Sequence, residues 1–142
     1  MKSAIDKFLY AQAGGTYELA LHEVECGEKR SHWMWYIFPQ IKGLGSSFMA
    51  RKFELQSFDE AREYLEDETL RERLIEISTA VYELNADDIG YVFAYPDDLK
   101  FRSCMTLFAL ITPEDSIFRK NLDKYYEGEM CEHTVNIFSE EN

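Results

Sequence analysis

The sequence has little from which to build a metal centre, a disulfide framework or a membrane anchor. Its three histidines, His22, His32 and His133, are scattered. No HExxH, CxxC or histidine-plus-carboxylate spacing occurs, so no metal site is expected. The three cysteines, Cys26, Cys104 and Cys131, are odd in number and far apart, which suits buried thiols in a reducing compartment. No run approaches the roughly 18 apolar residues of a membrane span. The N-terminal MKSAIDKFLYAQ carries an acid where a signal peptide needs an apolar stretch, so a cytoplasmic protein without membrane association is expected. A GxSxG elbow, a Gly-Lys-Ser/Thr phosphate loop and GxGxxG are all missing, and no cofactor is implied.

Cations are scarce too. Fifteen Lys and Arg against 27 Asp and Glu leave a net charge of -12, which argues against general nucleic-acid binding because phosphate neutralisation needs positive charge. The deficit is uneven. Lys29 to Phe53 holds five cations (Lys29, Arg30, Lys42, Arg51 and Lys52) and no acid, and Leu99 to Thr112 holds Lys100 and Arg102 and no acid. If the fold joins these segments, a local cationic patch favours a small anionic ligand; otherwise the cations simply pair with nearby carboxylates.

What is present is enough to fold. At 142 residues, 46% of them apolar, the chain fits one globular domain spanning 1–142, since that length buries roughly 68 to 70% of its unfolded surface. The patterns predict an all-α bundle of about six to eight short helices. Ile5, Phe8, Leu9 and Gln12 share one face of a helix stopped by Gly14-Gly15, and Thr16 caps the next, striped by Tyr17, Ala20, Leu21 and Val24. Trp33 to Phe38 is apolar throughout, so periodicity does not separate helix from strand. The lack of partner strands favours helix, ended by Pro39. Ser46 or Ser47 caps a short helix through Lys52, and Phe53 to Gln56 is expected to be extended. Ser57 to Glu60 is a capping box, and Leu70, Leu74, Ile77, Val81 and Leu84 mark the longest helix, from Asp67 to Asn85. Asp87-Asp88 reads as a turn cap rather than a metal pair. After Pro96, Leu99, Ser103, Thr106 and Leu110 fall on one helical face. Thr112-Pro113-Glu114-Asp115 reads as a helix start, and the tail from Cys131 to Phe138 as one or two turns before a frayed end.

Ser31 to Ser47, SHWMWYIFPQIKGLGSS, is the densest stretch. Trp33 or Trp35 offers an apolar platform and Gln40 an amide. Gly43, Gly45 and Ser46 offer backbone donors, while Arg51, Lys100 and Arg102 offer charge. Ser103 and Thr106 add hydroxyls that bond either a ligand or the preceding helical turn. His32, whose imidazole can donate or accept a proton, is the catalytic candidate. Cys104 would act with His32 only if the fold joined them and lowered the thiol pKa. Together these residues suit a nucleotide-like or ADP-ribose-like anion. The alternative is a protein-binding module whose aromatic block is core.

SHWMWYIFPQIKGLGSS, SFDEAREYL and YPDDLKFRSCMTLF resemble the signature blocks of a mainly bacterial family, the domain of unknown function 1810, from about Phe8 to Phe138. The resemblance implies a wholly or mainly helical fold and no established activity. Some members are labelled calpastatin-like, but calpastatin is a disordered inhibitor and this composition folds. The matching blocks carry over His32, Trp33, Trp35, Phe38, Pro39, Gln40, Gly43, Leu44, Gly45, Ser46 and Arg51, then Asp97, Asp98, Lys100, Arg102, Ser103 and Thr106. Ala94 stands where relatives usually have glycine, and Cys131 where they have aspartate, which bears on any role for a tail carboxylate.

Overall fold

Helix boundaries follow local chemistry. The computed structural model describes residues 3–141, and among these the fold is all-α, with nine helices, one 3-10 turn at Ile89–Tyr91 and no strand. In order they are α1 (Asp6–Gln12), α2 (Thr16–Glu25), α3 (Met34–Ile37), α4 (Phe48–Phe53), α5 (Phe58–Glu66), α6 (Glu68–Tyr82), α7 (Asp97–Ala109), α8 (Ile117–Tyr126) and α9 (Glu132–Glu141). Ser47, Ser57 and Asp67 cap α4, α5 and α6 by accepting from the amides of Ala50, Glu60 and Leu70. Asp88 accepts from Gly90 N–H at 2.7 Å, a cap, and no metal-binding group of His, Cys, Asp and Glu occurs among the described residues.

Several boundaries differ from the sequence reading, among them the end of α9, which stays helical to Glu141 rather than fraying after Phe138. Gly15 rather than Thr16 precedes α2, because its φ of 91° turns the chain directly into the first helical residue. The Thr112-Pro113 start is unused: the Thr112 hydroxyl folds back onto the Phe108 carbonyl at 2.6 Å. Ser116 caps α8 instead. The long α6 ends at Tyr82, short of Asn85.

One hydrophobic cluster runs through the molecule, with α7 at its centre. Along α7, Phe101, Cys104, Met105, Leu107 and Phe108 are fully buried while Leu99 is 41% exposed, so the expected Leu99-Ser103-Thr106-Leu110 face is not the only inward one. A helix packed by α5, α8 and α9 has no solvent stripe, and periodicity carries no signal there. By contrast α6 shows the expected stripe, with Leu70, Leu74, Ile77 and Val81 inside. Buried Gln12 ties the aromatic layer together, donating to the Tyr36 carbonyl at 2.8 Å and bonding Tyr64 Oη at 3.2 Å.

The segment after Pro39 is pinned by an isolated parallel bridge between Ile41 and Leu55. Lys42 N–H donates to the Leu55 carbonyl at 2.9 Å and Leu55 N–H to Gln40 at 2.8 Å, which realises the extended stretch after α4. No helix among the described residues is long and apolar enough to cross a membrane. Cys26, Cys104 and Cys131 are free thiols.

Candidate functional site

The site begins with a buried carboxylate. Glu23 of α2 is 6% exposed and accepts from Trp33 Nε1 at 2.9 Å, from the amides of Arg30 and Ser31 at 2.7 and 2.9 Å, and from the Ser31 hydroxyl. Burial alone would raise its pKa. The Ser31 hydroxyl, the two amides and the indole outweigh it and hold the carboxyl at about 2. This locks the chain entering α3, and Trp33 is enclosed against Phe38 and Phe93. Trp33 is therefore core, not an accessible platform. Glu23 was missed in the sequence because an acid beside a helical stripe looks like a solvated flank.

Trp35, half-buried, is the ring that remains accessible. Lys100 Nζ lies 5.6 Å from its centroid, so the two acid-poor segments do meet. Asp97 intervenes, however, 2.9 Å from Lys29 and 3.7 Å from Lys100, and neutralises part of the charge. Trp35, Gln40 and Gly45 border a crevice of about 10 Å³, room for no more than one water. Beyond it the loop opens. Gly43, Leu44, Gly45, Ser46, Arg51 and Glu54 line an open concavity of about 550 Å³.

Both loop glycines are dictated by neighbours. Gly43 has φ 91°, and a Cβ there would stand 3.0 Å from His133 Nε2; a Cβ on Gly45 would stand 2.6 Å from that of Ala50. His133 of α9 holds this turn, its Nε2 lying 2.9 Å from the Lys42 carbonyl oxygen. A carbonyl only accepts, so Nε2 carries the proton. Glu54 takes the Gly43 amide at 3.2 Å. The backbone of Gly45 and Ser46 makes no hydrogen bond among the described residues, and neither Lys42 nor Arg51 has an ion pair there.

The other candidates lie elsewhere. His32 is exposed and borders neither the crevice nor the loop concavity. Cys104 is fully buried and burial pushes its thiol pKa up, the opposite of the lowering that an attacking thiolate with His32 requires. Ser103 and Thr106 point into the core. The Ser103 hydroxyl is 3.0 Å from the Leu99 carbonyl and 3.2 Å from Cys131 Sγ, while Thr106 donates to the Arg102 carbonyl at 2.8 Å and accepts from the Cys131 amide at 2.9 Å. Their partners are protein groups, as back-bonding hydroxyls on a helix usually have. Burial alone would raise the Cys131 thiol pKa; the Ser103 hydroxyl bond and the nearby Arg102 are among the influences that hold it below its usual value. Arg102 turns away from Lys100 and packs 5.8 Å from the Tyr126 ring centroid.

Fold and site together define a small helical domain with a glycine turn and an arginine that has no ion pair among the described residues. The chain belongs to the family described as "Protein of unknown function (DUF1810)", which it matches over residues 2–138. It is similar to a solved structure, the conserved hypothetical protein Rv1873 from Mycobacterium tuberculosis. The two are 42% identical, the match covers 93% of this chain and 94% of that one, and the TM-score is 0.89. No curated protein matches.

Proposed function

We propose that this chain is a cytoplasmic small-molecule-binding domain, a single unit whose ligand is a nucleotide-like or ADP-ribose-like anion held at the Gly43–Ser46 turn. The observation that carries this reading is the concavity of about 550 Å³ bordered by Arg51, a guanidinium with no ion pair among the described residues. A planar guanidinium suits bidentate contact with phosphate or carboxylate. The free backbone of Gly45 and Ser46 adds donors, and Trp35 with Lys100 above it lies next along the surface. Binding rather than turnover is what this geometry supports, because His32 stands outside the concavity. Thermal-shift measurements against nucleotides, NAD metabolites and sugar phosphates test it. At least one should raise the melting temperature of the wild type and fail to do so for Arg51→Ala; a panel without a shift sinks the reading.

A protein-binding module is the second reading. Tyr91 and Tyr95 are 76% and 79% exposed, close in the chain to exposed Leu99, on a strongly acidic protein. A basic partner recovered by wild type but lost from a Tyr91→Ser, Tyr95→Ser variant would favour it.

A further inference from the structure

α4 presents two sides. Ala50, Arg51 and Glu54 turn towards the glycine loop, whereas Met49 and Lys52 border a different and larger cleft on the side of α1, with Phe53 between the two. That cleft has a volume of about 870 Å³, within the range of roughly 300 to 1,000 Å³ usual for small-molecule sites. Its surface is mainly hydrocarbon and ring, contributed by Tyr10, Tyr36, Met49 and Phe53. Tyr10 is 87% exposed, an aromatic ring left in water at the border of a concavity.

The charges around the cleft are unequal in what they already hold. Asp6 accepts from the Ser3 amide at 3.0 Å and Glu60 from the Gln56 amide at 3.4 Å; both carboxylates keep their charge, but neither pairs with a lysine of the cleft. Lys7 and Lys52 have no ion pair among the described residues. Their ammoniums lie only over aromatic faces, 5.6 Å from the Phe8 centroid and 5.3 Å from that of Phe53. An ammonium above a ring keeps its N–H donors for an anion. Two such groups, from different helices, border one apolar concavity.

We infer that this cleft is a second binding site, for an anionic amphiphile: a flat aryl or short acyl body against Tyr10, Tyr36 and Phe53, with its acid group held by Lys7 and Lys52. The two ammoniums without a carboxylate partner select an acid group, and the ring-lined wall selects hydrocarbon attached to it. A bare phosphate satisfies only half of the site.

The probe is 8-anilinonaphthalene-1-sulfonate, an aryl sulfonate that fluoresces in apolar surroundings, added to the folded full chain. Saturable binding at one site is expected, weakened on the order of tenfold by Lys7→Ala with Lys52→Ala, which removes two charge-assisted contacts. Met49→Trp, which fills the cleft, should also weaken it, while Lys120→Ala, which removes one lysine at an exposed position of α8, should not. Decanoate or 2-naphthoate should displace the probe and inorganic phosphate should not. Unsaturable binding, equal affinity in the Lys7/Lys52 variant with its melting temperature intact, or displacement by phosphate alone would overturn the proposal. So would a dimer in solution that buries Tyr10.

Discussion

The Trp33 indole donates to the Glu23 carboxylate at 2.9 Å, and through that contact α2 sets the position of the whole aromatic stretch. The same carboxylate takes two backbone amides that would otherwise be stranded beneath the surface. Removing it orphans several donors at once.

Glu23 also makes stability depend on acid. Its folded pKa of about 2 lies below its ordinary value of 4.5, so the stabilisation is complete above about pH 4.5 and is lost as pH falls through about 2. That difference is worth about 3 kcal/mol at neutral pH. Glu23→Gln should therefore lower the urea-unfolding free energy by about that amount at pH 7, and the gap between variant and wild type should close towards pH 2.

Gly45→Ala forces a Cβ onto that of Ala50 and should cost about 1 to 3 kcal/mol as an overpacked contact. Ala50→Gly removes the obstruction. A double variant that recovers most of the loss beyond the additive expectation, measured by thermal unfolding, confirms that this contact sets the turn.

His133→Ala frees the Lys42 carbonyl. Amide exchange at Lys42 to Ser46 should quicken, while global stability falls by no more than about 1.5 kcal/mol, the net worth of one such hydrogen bond. A uniform increase across α6 and α7 would show instead that the residue supports the core.

Leu99 and Phe101 separate the two readings of α7. Phe101→Ala should cost about 3 to 5 kcal/mol as a core cavity. Leu99→Ala should stay within about 1 kcal/mol because much of that side chain is already in water. Chemical denaturation of both variants decides between an amphipathic and a fully enclosed helix.

What could be read beforehand depended on how each element meets solvent. α6 announced itself because it is buried along one stripe, and Ser47, Ser57 and Asp67 because a cap is local chemistry. The interior of α7 did not, since burial on every side erases period. Thr112 read as the start of α8, but its hydroxyl is taken by the Phe108 carbonyl and Ser116 caps the helix instead. At the candidate site, the glycine turn stood out by residue type, and the charge distribution raised, as one of two alternatives, the meeting of acid-poor segments that Trp35 and Lys100 make. The neutralising Asp97 was not legible, because the separation of Lys29 and Asp97 in sequence hides a 2.9 Å contact. His133 acts on Lys42, far from it in the chain, and Glu23 on residues across the loop that follows its own helix, and helical spacing carries no trace of either.

The peptide clasp between Ile41 and Leu55 has a mechanical corollary. It brings the entry and exit of residues 42–54 side by side, so this lobe is held between two fixed points, with Phe53 and Met49 packed against the interior and His133 clasping its turn.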